Sequence, residues 1–262
     1  MKFSIITVVL NDVKNIEKTI LSVKKQSYKN FEHIIVDGNS SDGTTELIKK
    51  YSKFLIHFKK KDKSLYEAIN RGIKKSRGEI IFLIHSGDIF ADKDILKKVD
   101  KLFKKKFDVI SGNIQFYDET KKTIVRNWAL NIDNLNNQNF FKVPHTSLFI
   151  KKKFLNRIRN YSSKYKISSD LDFLIKLSKI KKNFYYFNKN IVFMKTGGLS
   201  TSINSFFIKF KEDIKILYKH FGLFFLLIYP VKVLFKIPGL LQFDKNENNR
   251  KLKKELNYLN EK

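Results

Sequence analysis

The chain has 262 residues, 42% of them hydrophobic, so it is long enough to bury the core of one full-sized domain. The sequence contains no cysteine, which excludes disulfide bonds, thiolate catalysis and cysteine-ligated metals. The formal net charge of +28 comes mostly from lysines spread along the whole chain, and no RNA-binding or zinc-finger signature accompanies it. The charge therefore favours attraction to an anionic membrane surface or to phosphate-bearing substrates over dedicated nucleic-acid binding.

Apolar segments alternate with amphipathic segments through the first half of the sequence. Strands are predicted at residues 2–10, 31–37, 54–58, 79–85 and 107–117, and helices at residues 15–26, 40–52, 64–76 and 92–105. Strands that alternate with helices predict an α/β fold, in which a Rossmann-like, mostly parallel central sheet is flanked by helices. The first apolar run, residues 5–10, is too short for the core of a signal peptide, so we expect the catalytic part in the cytoplasm.

The regular alternation ends after Thr123. Residues 127–145 show little periodicity and are predicted to form a long loop, which in a compact domain is often functional. A short strand at 146–150, a helix at 168–180 and a strand at 184–195 are predicted after it. One domain is expected to span residues 1–203.

The C-terminal segment, residues 204–243, has the pattern of an amphipathic helix. Its apolar side chains form one stripe, made of Phe207, Phe210, Ile214, Leu217 and Phe221, and the lysines lie largely off that stripe. The apolar run 221–231 is too short to span a bilayer. The segment is therefore either a helix packed on the domain or, as we favour, a basic amphipathic anchor in the membrane interface. Residues 244–262 are predicted to be a charged, frayed tail.

Polar side chains follow the predicted strands of the first half. Asn11 follows the first strand, Asp37 ends the second, Asp62 follows the third and Asp88 follows the fourth. Ligands of parallel α/β sheets bind at the carboxyl ends of the strands, so these four side chains together favour a binding site. Each alone could be structural, and Asp88 could be a turn residue, a helix cap or a ligand. Residues 36–44 do not begin a calcium-binding loop, because the central glycine and the twelfth-position glutamate are missing.

Seven motifs occur in the order typical of the family 2 glycosyltransferases, and they resemble the bacterial branch that builds capsular, O-antigen and exopolysaccharide chains. They are TVVLN, VDGNSSDGT, DKSLYEAINRGI, LIHSGDIF, PHTSLFI, ISSDLDFLIKL and GGLS, and they cover about residues 3–201. The resemblance implies a GT-A fold and an inverting transfer of a sugar from a nucleotide-sugar, expected to be UDP-linked, to a hydroxyl of a growing, lipid-linked surface glycan. With the C-terminal segment as an anchor, such an enzyme would be a peripheral protein at the inner face of the cell membrane.

The resemblance also implies roles for individual residues. Asp88 has the position of the family's metal-binding acid, and Gly87 stands where another acid often lies, so diphosphate oxygens and water would complete the shell of Mn²⁺ or Mg²⁺. Contacts with the nucleotide-sugar are implied for Thr7, Val9, Asn11, Asp37, Asn39, Asp62, Tyr66, Asn70, Ser86 and Gly87. Many relatives have a second acid where Gly38 stands, and that acid can read the uracil edge, so the identity of the base stays open here.

Two carboxylates on the predicted helix at 168–180 are candidates for the general base. Residues two apart on a helix point about 200° away from each other, so Asp170 and Asp172 cannot share one role. The resemblance implies that Asp170 is the base that inversion requires, and it places His145 near the acceptor or the diphosphate. A structural role also stays open, in which Asp170 only caps the helix. Two other functions stay open as well: binding of nucleic acid or other polyanions, and a catalytically degenerate partner with a transferase fold.

Overall fold

One sheet of nine strands organises the part of the chain that the computed structural model describes, namely residues 1–130, 143–197, 203–234 and 245–260. The strands are β1 (Phe3–Val9), β2 (Phe31–Asp37), β3 (Ile56–Lys59), β4 (Ile80–Leu83), β5 (Ile89–Phe90), β6 (Val109–Asp118), β7 (Thr123–Trp128), β8 (Phe149–Lys151) and β9 (Phe184–Lys195). Their order along the sheet is β3-β2-β1-β4-β8-β6-β9-β5, and β7 pairs with β6 outside this path. Parts of three sequence predictions lie outside the described residues: 131–142 of the long loop, 198–200 of the last motif and 235–244 of the C-terminal region.

Strands β3, β2, β1 and β4 run parallel to one another, as the first half of the sequence predicts. β1 lies between β2 and β4, so that Phe3 is opposite both Phe31 and Ile80. Because these four strands point the same way, the segments that follow them emerge at one edge of the sheet, which we call the carboxyl edge. The predicted α/β fold with a central sheet is confirmed.

Strand directions are mixed in the other half of the sheet. β8 is antiparallel to β4 and β6, and β9 is parallel to β6. No pattern in the sequence predicts β5, because a strand of two residues carries no periodicity. β5 pairs with β9 directly after Asp88, and the backbone N–H of Lys195 at the end of β9 donates to the Asp88 carboxylate (3.0 Å). The mixed half thus brings a second part of the chain to the carboxyl edge.

Helices cover both faces of the sheet. They are α1 (Ile16–Lys24), α2 (Thr44–Lys49), α3 (Leu65–Lys75), α4 (Ile95–Phe103), α5 (Lys152–Arg157), α6 (Ser169–Ser178), α7 (Ile203–Phe221), α8 (Phe225–Leu234) and α9 (Lys245–Asn260). Side chains of β1 alternate between the two faces: Phe3 and Ile5 join the apolar cluster of α4, whereas Ile6 joins the cluster of α3 and α6. Burial on both faces explains why the strands of this half are apolar throughout.

Helix α3 is fixed in position at both its start and its middle. Ser64 caps its first turn, since the Ser64 hydroxyl accepts the backbone N–H of Glu67 (3.2 Å). At Gly72 the helix lies so close to β1 that an added Cβ would be 2.5 Å from a methyl carbon of Ile6. A side chain at position 72 would therefore push α3 away from the sheet and from the carboxyl edge.

Helices α7 and α8 combine the two arrangements that the sequence left open. Ile216 and Leu217 of α7 are fully buried in a cluster with Leu171 and Ile175 of α6. A second set of apolar side chains is exposed to solvent: Phe206, Phe207, Ile208, Phe210, Tyr218, Leu223, Phe224, Leu226 and Leu227. The predicted stripe is therefore only partly the packing face, because Leu217 is buried whereas two of its phenylalanines are exposed. Within the described ranges, no helix is both long enough and apolar enough to cross a bilayer.

The prediction of a frayed tail at residues 244–262 is wrong for most of that segment. Helix α9 forms there, and three of its leucines are buried near β7 and α1: Leu252, Leu256 and Leu259. Leucines at this spacing make one apolar stripe, which the many surrounding lysines and asparagines obscure in the composition. The Asn249 side chain also accepts the backbone N–H of Ile124 in β7 (2.7 Å), so α9 covers this strand at the margin of the sheet.

Candidate active site at the carboxyl edge

The turn after β4 is held rigidly by its neighbours. Within it, the backbone N–H of Asp88 donates to the His85 carbonyl (3.1 Å), and Gly87 has a φ of +89°, which favours glycine. The Thr19 hydroxyl of α1 accepts the N–H of Gly87 (2.9 Å) and donates to the Asp88 carbonyl (2.8 Å). The Tyr117 hydroxyl of β6 donates to the Gly87 carbonyl (2.8 Å). The turn therefore presents Asp88 at a defined position.

The carboxylate of Asp88 has one unused oxygen. Asp88 is only 2% exposed, and its Oδ1 accepts the backbone N–H of Lys195 (3.0 Å), whereas its buried Oδ2 has no hydrogen-bond partner. Burial, helped by the negative charge of nearby Asp12 and opposed by backbone hydrogen bonds, raises the pKa of Asp88 to about 8. The hydroxyl of Ser86 is likewise buried without a partner. A buried, unpartnered carboxylate oxygen is the kind of donor that a divalent cation takes, so Asp88 fits the predicted metal site.

The cation would need further ligands from outside the protein. Among the residues that the structure describes, no three His, Asp or Glu side chains lie close enough together to hold a metal ion. Mg²⁺ and Mn²⁺ commonly bind through one or two carboxylates, with substrate phosphates and water completing the shell. Asp88 therefore fits a cation that arrives with a diphosphate rather than a cation held by a protein cage.

His85, His145 and Asp170 form a second cluster beside this turn. His145 lies in a 3₁₀ turn (His145–Ser147), and its Nδ1 is 3.5 Å from Oδ2 of Asp170, which is in the first turn of α6. The rings of His85 and His145 are 6.2 Å apart. Burial lowers the pKa of His85 to about 4 and also lowers the pKa of His145, although Asp170 opposes both shifts. Burial therefore favours the neutral form of both imidazoles near pH 7.

Asp170 and Asp172 point in different directions, as their spacing predicts. Asp172 is 1% exposed and is bound by His220 (2.8 Å), Lys219 (3.2 Å) and Lys176 (3.0 Å). Burial alone would raise the pKa of Asp172, but these three partners hold it well below its usual range. Asp172 therefore ties α6 to α7, which leaves Asp170 as the acid of this helix that lies beside His145.

Asp37 organises the turn that follows β2. Its Oδ1 accepts the backbone N–H of Ser40 (2.7 Å) and its Oδ2 accepts the hydroxyl of Thr45 (2.6 Å), while His57 lies 3.5 Å away. Burial would raise the pKa of Asp37, but the bonds from Thr45 and Ser40 outweigh it and lower the pKa. The structure thus places Asp37 at the carboxyl edge, as predicted, with both oxygens already bonded within the turn.

Asn11 and Asn39 are exposed at the same edge, in the loops after β1 and β2. Both have a positive φ, +50° at Asn11 and +77° at Asn39, a conformation that asparagine tolerates better than most residues. The loops are pinned together because Oδ1 of Asn11 accepts the N–H of Ser41 (2.9 Å), and the Ser40 hydroxyl accepts the N–H of Asn11 (2.9 Å). Their predicted contact with a nucleotide-sugar stays a prediction.

Thr7 and Val9 lie in the core below this edge. Thr7 is fully buried with its hydroxyl 3.0 Å from Nε2 of His33, and Val9 packs in an apolar cluster with α1 and α2. These side chains therefore set the position of the loop after β1, and their predicted contact with the nucleotide stays a prediction. The exposed residue of this strand end is Leu10, which is 60% exposed and which sequence reasoning missed. Leu10 continues the apolar run of the strand, so the sequence gives no sign that this leucine is exposed.

Of three further predicted residues in or just before α3, two connect this helix to the segment before α6. Asp62 forms an ion pair with Arg71 of α3. Tyr66 is 4% exposed and its hydroxyl donates to the Ile167 carbonyl. Asn70 uses both ends of its amide on the backbone of Tyr161, donating to the carbonyl (2.8 Å) and accepting the N–H (3.0 Å). These bonds explain why an asparagine is tolerated inside α3, and contacts of the three residues with donor or sugar stay predictions.

A polar network next to Asp88 was not predicted. The Lys195 ammonium donates to Oδ1 of Asn15 (2.5 Å) and forms an ion pair with Glu119, which also pairs with Lys18. The side chain of Lys195 lies over Gly87, since a Cβ added at Gly87 would be 3.1 Å from its Cδ. These residues come from α1, β6, β9 and the turns between strands, so no local motif could have indicated that they meet.

Comparison with known proteins identifies the family. The sequence model described as glycosyl transferase family 2 matches residues 4–163 of the chain. The chain belongs to this family. The predicted family is therefore confirmed, and membership favours an enzyme over a polyanion-binding protein. The match ends before Asp170, so the role of Asp170 depends on its geometry.

Relatives and solved structures agree with this assignment. An uncharacterised glycosyltransferase of Mycobacterium tuberculosis is 23% identical over 195 residues, which cover 68% of this chain and 69% of the relative. TarS of S. aureus (residues 1–349), solved in complex with UDP, has a TM-score of 0.64 at 17% identity and covers 84% of this chain and 67% of its own. The mannosyltransferase PcManGT of Pyrobaculum calidifontis, solved with GDP-Man and Mn²⁺, has a TM-score of 0.58 at 14% identity and covers 98% and 69%. These likenesses confirm the GT-A type of fold.

Proposed function

We propose that this family 2 glycosyltransferase moves a sugar from a UDP-linked donor to a hydroxyl group with inversion, and that it requires Mn²⁺ or Mg²⁺ bound at Asp88. The observation that carries the proposal is the unpartnered Oδ2 of the buried Asp88, held at the carboxyl edge in the same turn as His85. His85 in turn lies beside the pair of His145 and Asp170. Asp88, which would hold the cation that binds the leaving diphosphate, and Asp170, the carboxylate for the acceptor hydroxyl, therefore belong to one site, as a single displacement requires.

Each side chain of the site has a role in this reaction. Asp88 holds the cation, which when bound supplies positive charge against the developing charge of the diphosphate. Asp170 accepts the proton of the acceptor hydroxyl while the acceptor oxygen bonds to the anomeric carbon and the bond from that carbon to the diphosphate breaks. His145 is neutral, so it can donate a hydrogen bond to Asp170 and keep that carboxylate oriented without protonating it. Asn11, Asn39 and the Asp37 turn are the proposed support for the nucleoside.

Solved structures of two proteins support the choice of donor and cation. TarS was solved with UDP and with UDP-GlcNAc, and PcManGT with GDP-Man and Mn²⁺. By analogy of fold we take a UDP-sugar as the donor and Mn²⁺ as the first cation to test. Because Gly38 offers no side chain to read the uracil edge, the donor screen below also includes sugars linked to other nucleotides.

We further propose that the protein is peripheral at the inner face of the cell membrane and that its acceptor is a lipid-linked surface glycan, of the capsule or lipopolysaccharide type. The support is the apolar surface of α7, α8 and the turn between them, where Leu223 is 73% exposed, Phe224 71% and Leu227 70%. Exposed lysines accompany it on α7, namely Lys211, Lys215 and Lys219. Apolar area flanked by lysines suits the interface of an anionic bilayer, where each lysine near the surface contributes about 1 kcal/mol.

Donor specificity tests the proposed reaction directly. The full chain would be incubated with UDP-, GDP-, CMP- and dTDP-linked sugars, with and without Mn²⁺, and release of the nucleotide would be measured. We expect one UDP-sugar to be hydrolysed slowly and only with the cation, and UDP to bind saturably. Salt-sensitive binding to any polyanion, with no saturable nucleotide site, would instead support the polyanion-binding alternative.

A further inference from the structure

Glu212 of α7 binds three successive backbone amides of the segment that leads into α6. Its Oε1 accepts the N–H of Lys166 (2.7 Å), and its Oε2 accepts the N–H of Ile167 (3.0 Å) and of Ser168 (2.9 Å). Hydrogen bonds to an ionised carboxylate are about twice as strong as neutral ones. One side chain of α7 therefore fixes the path of this segment.

The segment held by Glu212 determines where Asp170 begins its helix. Ser168 is the residue before α6, and Asp170 is the second residue of that helix. On the opposite side of the Ile167 peptide, the carbonyl accepts the Tyr66 hydroxyl. The peptide that precedes α6 is thus gripped from both sides, by α3 through Tyr66 and by α7 through Glu212.

The rest of α6 is fixed to α7 by a different acid. Asp172 is bound by Lys219 (3.2 Å) and His220 (2.8 Å), both on α7, and buried apolar contacts between the two helices continue this packing. The packing of the helices as a whole therefore does not depend on Glu212. Glu212 binds only the segment before α6, within four residues of Asp170. Its loss should therefore affect the position of Asp170 more than the stability of the fold.

We infer that Glu212 is a positioning residue for the reaction, which holds the first turn of α6 so that Asp170 keeps its place beside His145. This inference rests on the proposed function, in which Asp170 is the general base. A displacement of about 1 Å in a reacting group can lower the rate by up to about 100-fold, so a modest relaxation of this segment has a measurable effect on kcat. The proposed donor contacts depend on the turns after β1, β2 and β4, and the hydrogen bonds of Glu212 go to none of these turns.

The test compares Glu212→Gln with Lys101→Gln, a control at an exposed position of α4 that has no role in the proposed site or membrane surface. An amide has one carbonyl oxygen, so the glutamine keeps at most the bonds of one carboxylate oxygen and turns an N–H donor towards the other amides. We expect Glu212→Gln to lower kcat about tenfold with the donor KM within about twofold of the parent, and Lys101→Gln to leave both unchanged. Glu212→Asp, which keeps the charge, should recover part of kcat and serves if the glutamine variant does not fold.

A double-mutant cycle with Asp170→Asn separates positioning from a merely structural role. If Glu212 acts through Asp170, Glu212→Gln added to Asp170→Asn causes no further loss of kcat, whereas two independent effects multiply. Equal kcat in Glu212→Gln and Lys101→Gln, or multiplying losses in the double variant, would overturn the inference. Unchanged activity in Asp170→Asn alone would instead overturn the proposal that Asp170 is the general base. The single variants therefore distinguish a failure of the proposed function from a failure of the inference about Glu212.

Discussion

Replacing Asp88 with asparagine should have two effects. It should remove a decrease in the free energy of unfolding that the parent shows as pH rises, and it should abolish the metal-dependent activity. Burial raises the pKa of Asp88 from 3.8 to about 8, and its Oδ2 has no partner that would favour the ionised form. Between these two pH values the folded chain keeps a proton at Asp88 that the unfolded chain has released. The folded state therefore binds more protons than the unfolded state, so this group makes the free energy of unfolding fall as pH rises through the window.

The size of the effect follows from the width of that window. One proton changes the free energy of unfolding by about 1.4 kcal/mol per pH unit. From about pH 5 to about pH 7, Asp88 should cost the parent protein about 2–3 kcal/mol, or roughly 5–10 °C in Tm. Asparagine keeps the shape and carries no charge, so this contribution should vanish in Asp88→Asn. Mn²⁺ should raise the Tm of the parent near pH 7 but not that of the variant, because the cation favours the ionised carboxylate.

Thermal unfolding at several pH values, with and without Mn²⁺, measures the first effect, and turnover of the UDP-sugar at saturating Mn²⁺ measures the second. Asp92→Asn is the matched control, because Asp92 follows the same turn and pairs with Lys98 at the surface (2.7 Å). We expect Asp88→Asn to lose metal-dependent turnover, since a lost metal ligand typically costs several kcal/mol. Turnover within about threefold of the parent, with Tm curves parallel to it across pH, would refute the reasoning and make Asp88 only a turn residue.

Two further predictions concern α6 and the apolar surface of α7 and α8. Asp170→Asn should lower kcat roughly 100-fold or more with UDP affinity nearly intact. Asp172→Asn should affect activity less and should lower the free energy of unfolding by about 3 kcal/mol, because it removes the buried charge that Lys176, Lys219 and His220 bind. Equal kcat losses, or lost UDP binding in Asp170→Asn, would remove Asp170 from the role. Phe224→Gln combined with Leu227→Gln should reduce binding to anionic vesicles about tenfold or more in a sedimentation assay, while Ile56→Gln, at a 38% exposed site on β3, should bind like the parent. Substitution is a cleaner test than truncation at residue 203, which would also remove α9, and unchanged sedimentation would argue against the membrane surface.

Much of the candidate site could be predicted from the sequence because it lies at the ends of strands. Strands buried on both faces are apolar throughout, so polar residues at or just after the end of each strand mark the carboxyl edge, as Asp37 and Asp88 do. The opposite directions of Asp170 and Asp172 also follow from the geometry of one helix. Their partners did not follow, because Lys219 and His220 are almost 50 residues away in sequence and meet Asp172 only through the packing of α7 on α6.

The sequence by itself determined the alternating strands and helices, the turn that carries Asp88 and the family, since each of these depends on local patterns of a few residues. Only the tertiary structure decided which polar atoms are already used and which are left for a ligand. Asp37 and Asp88 look alike as acids at strand ends, yet one has both oxygens bonded within its turn and the other keeps a buried oxygen without a partner. Whether a polar atom already has a hydrogen-bond partner depends on atoms from distant parts of the chain. Lys195 bonds to Asp88, and Glu212 bonds to the segment that precedes Asp170, and both contacts form only when the chain is folded.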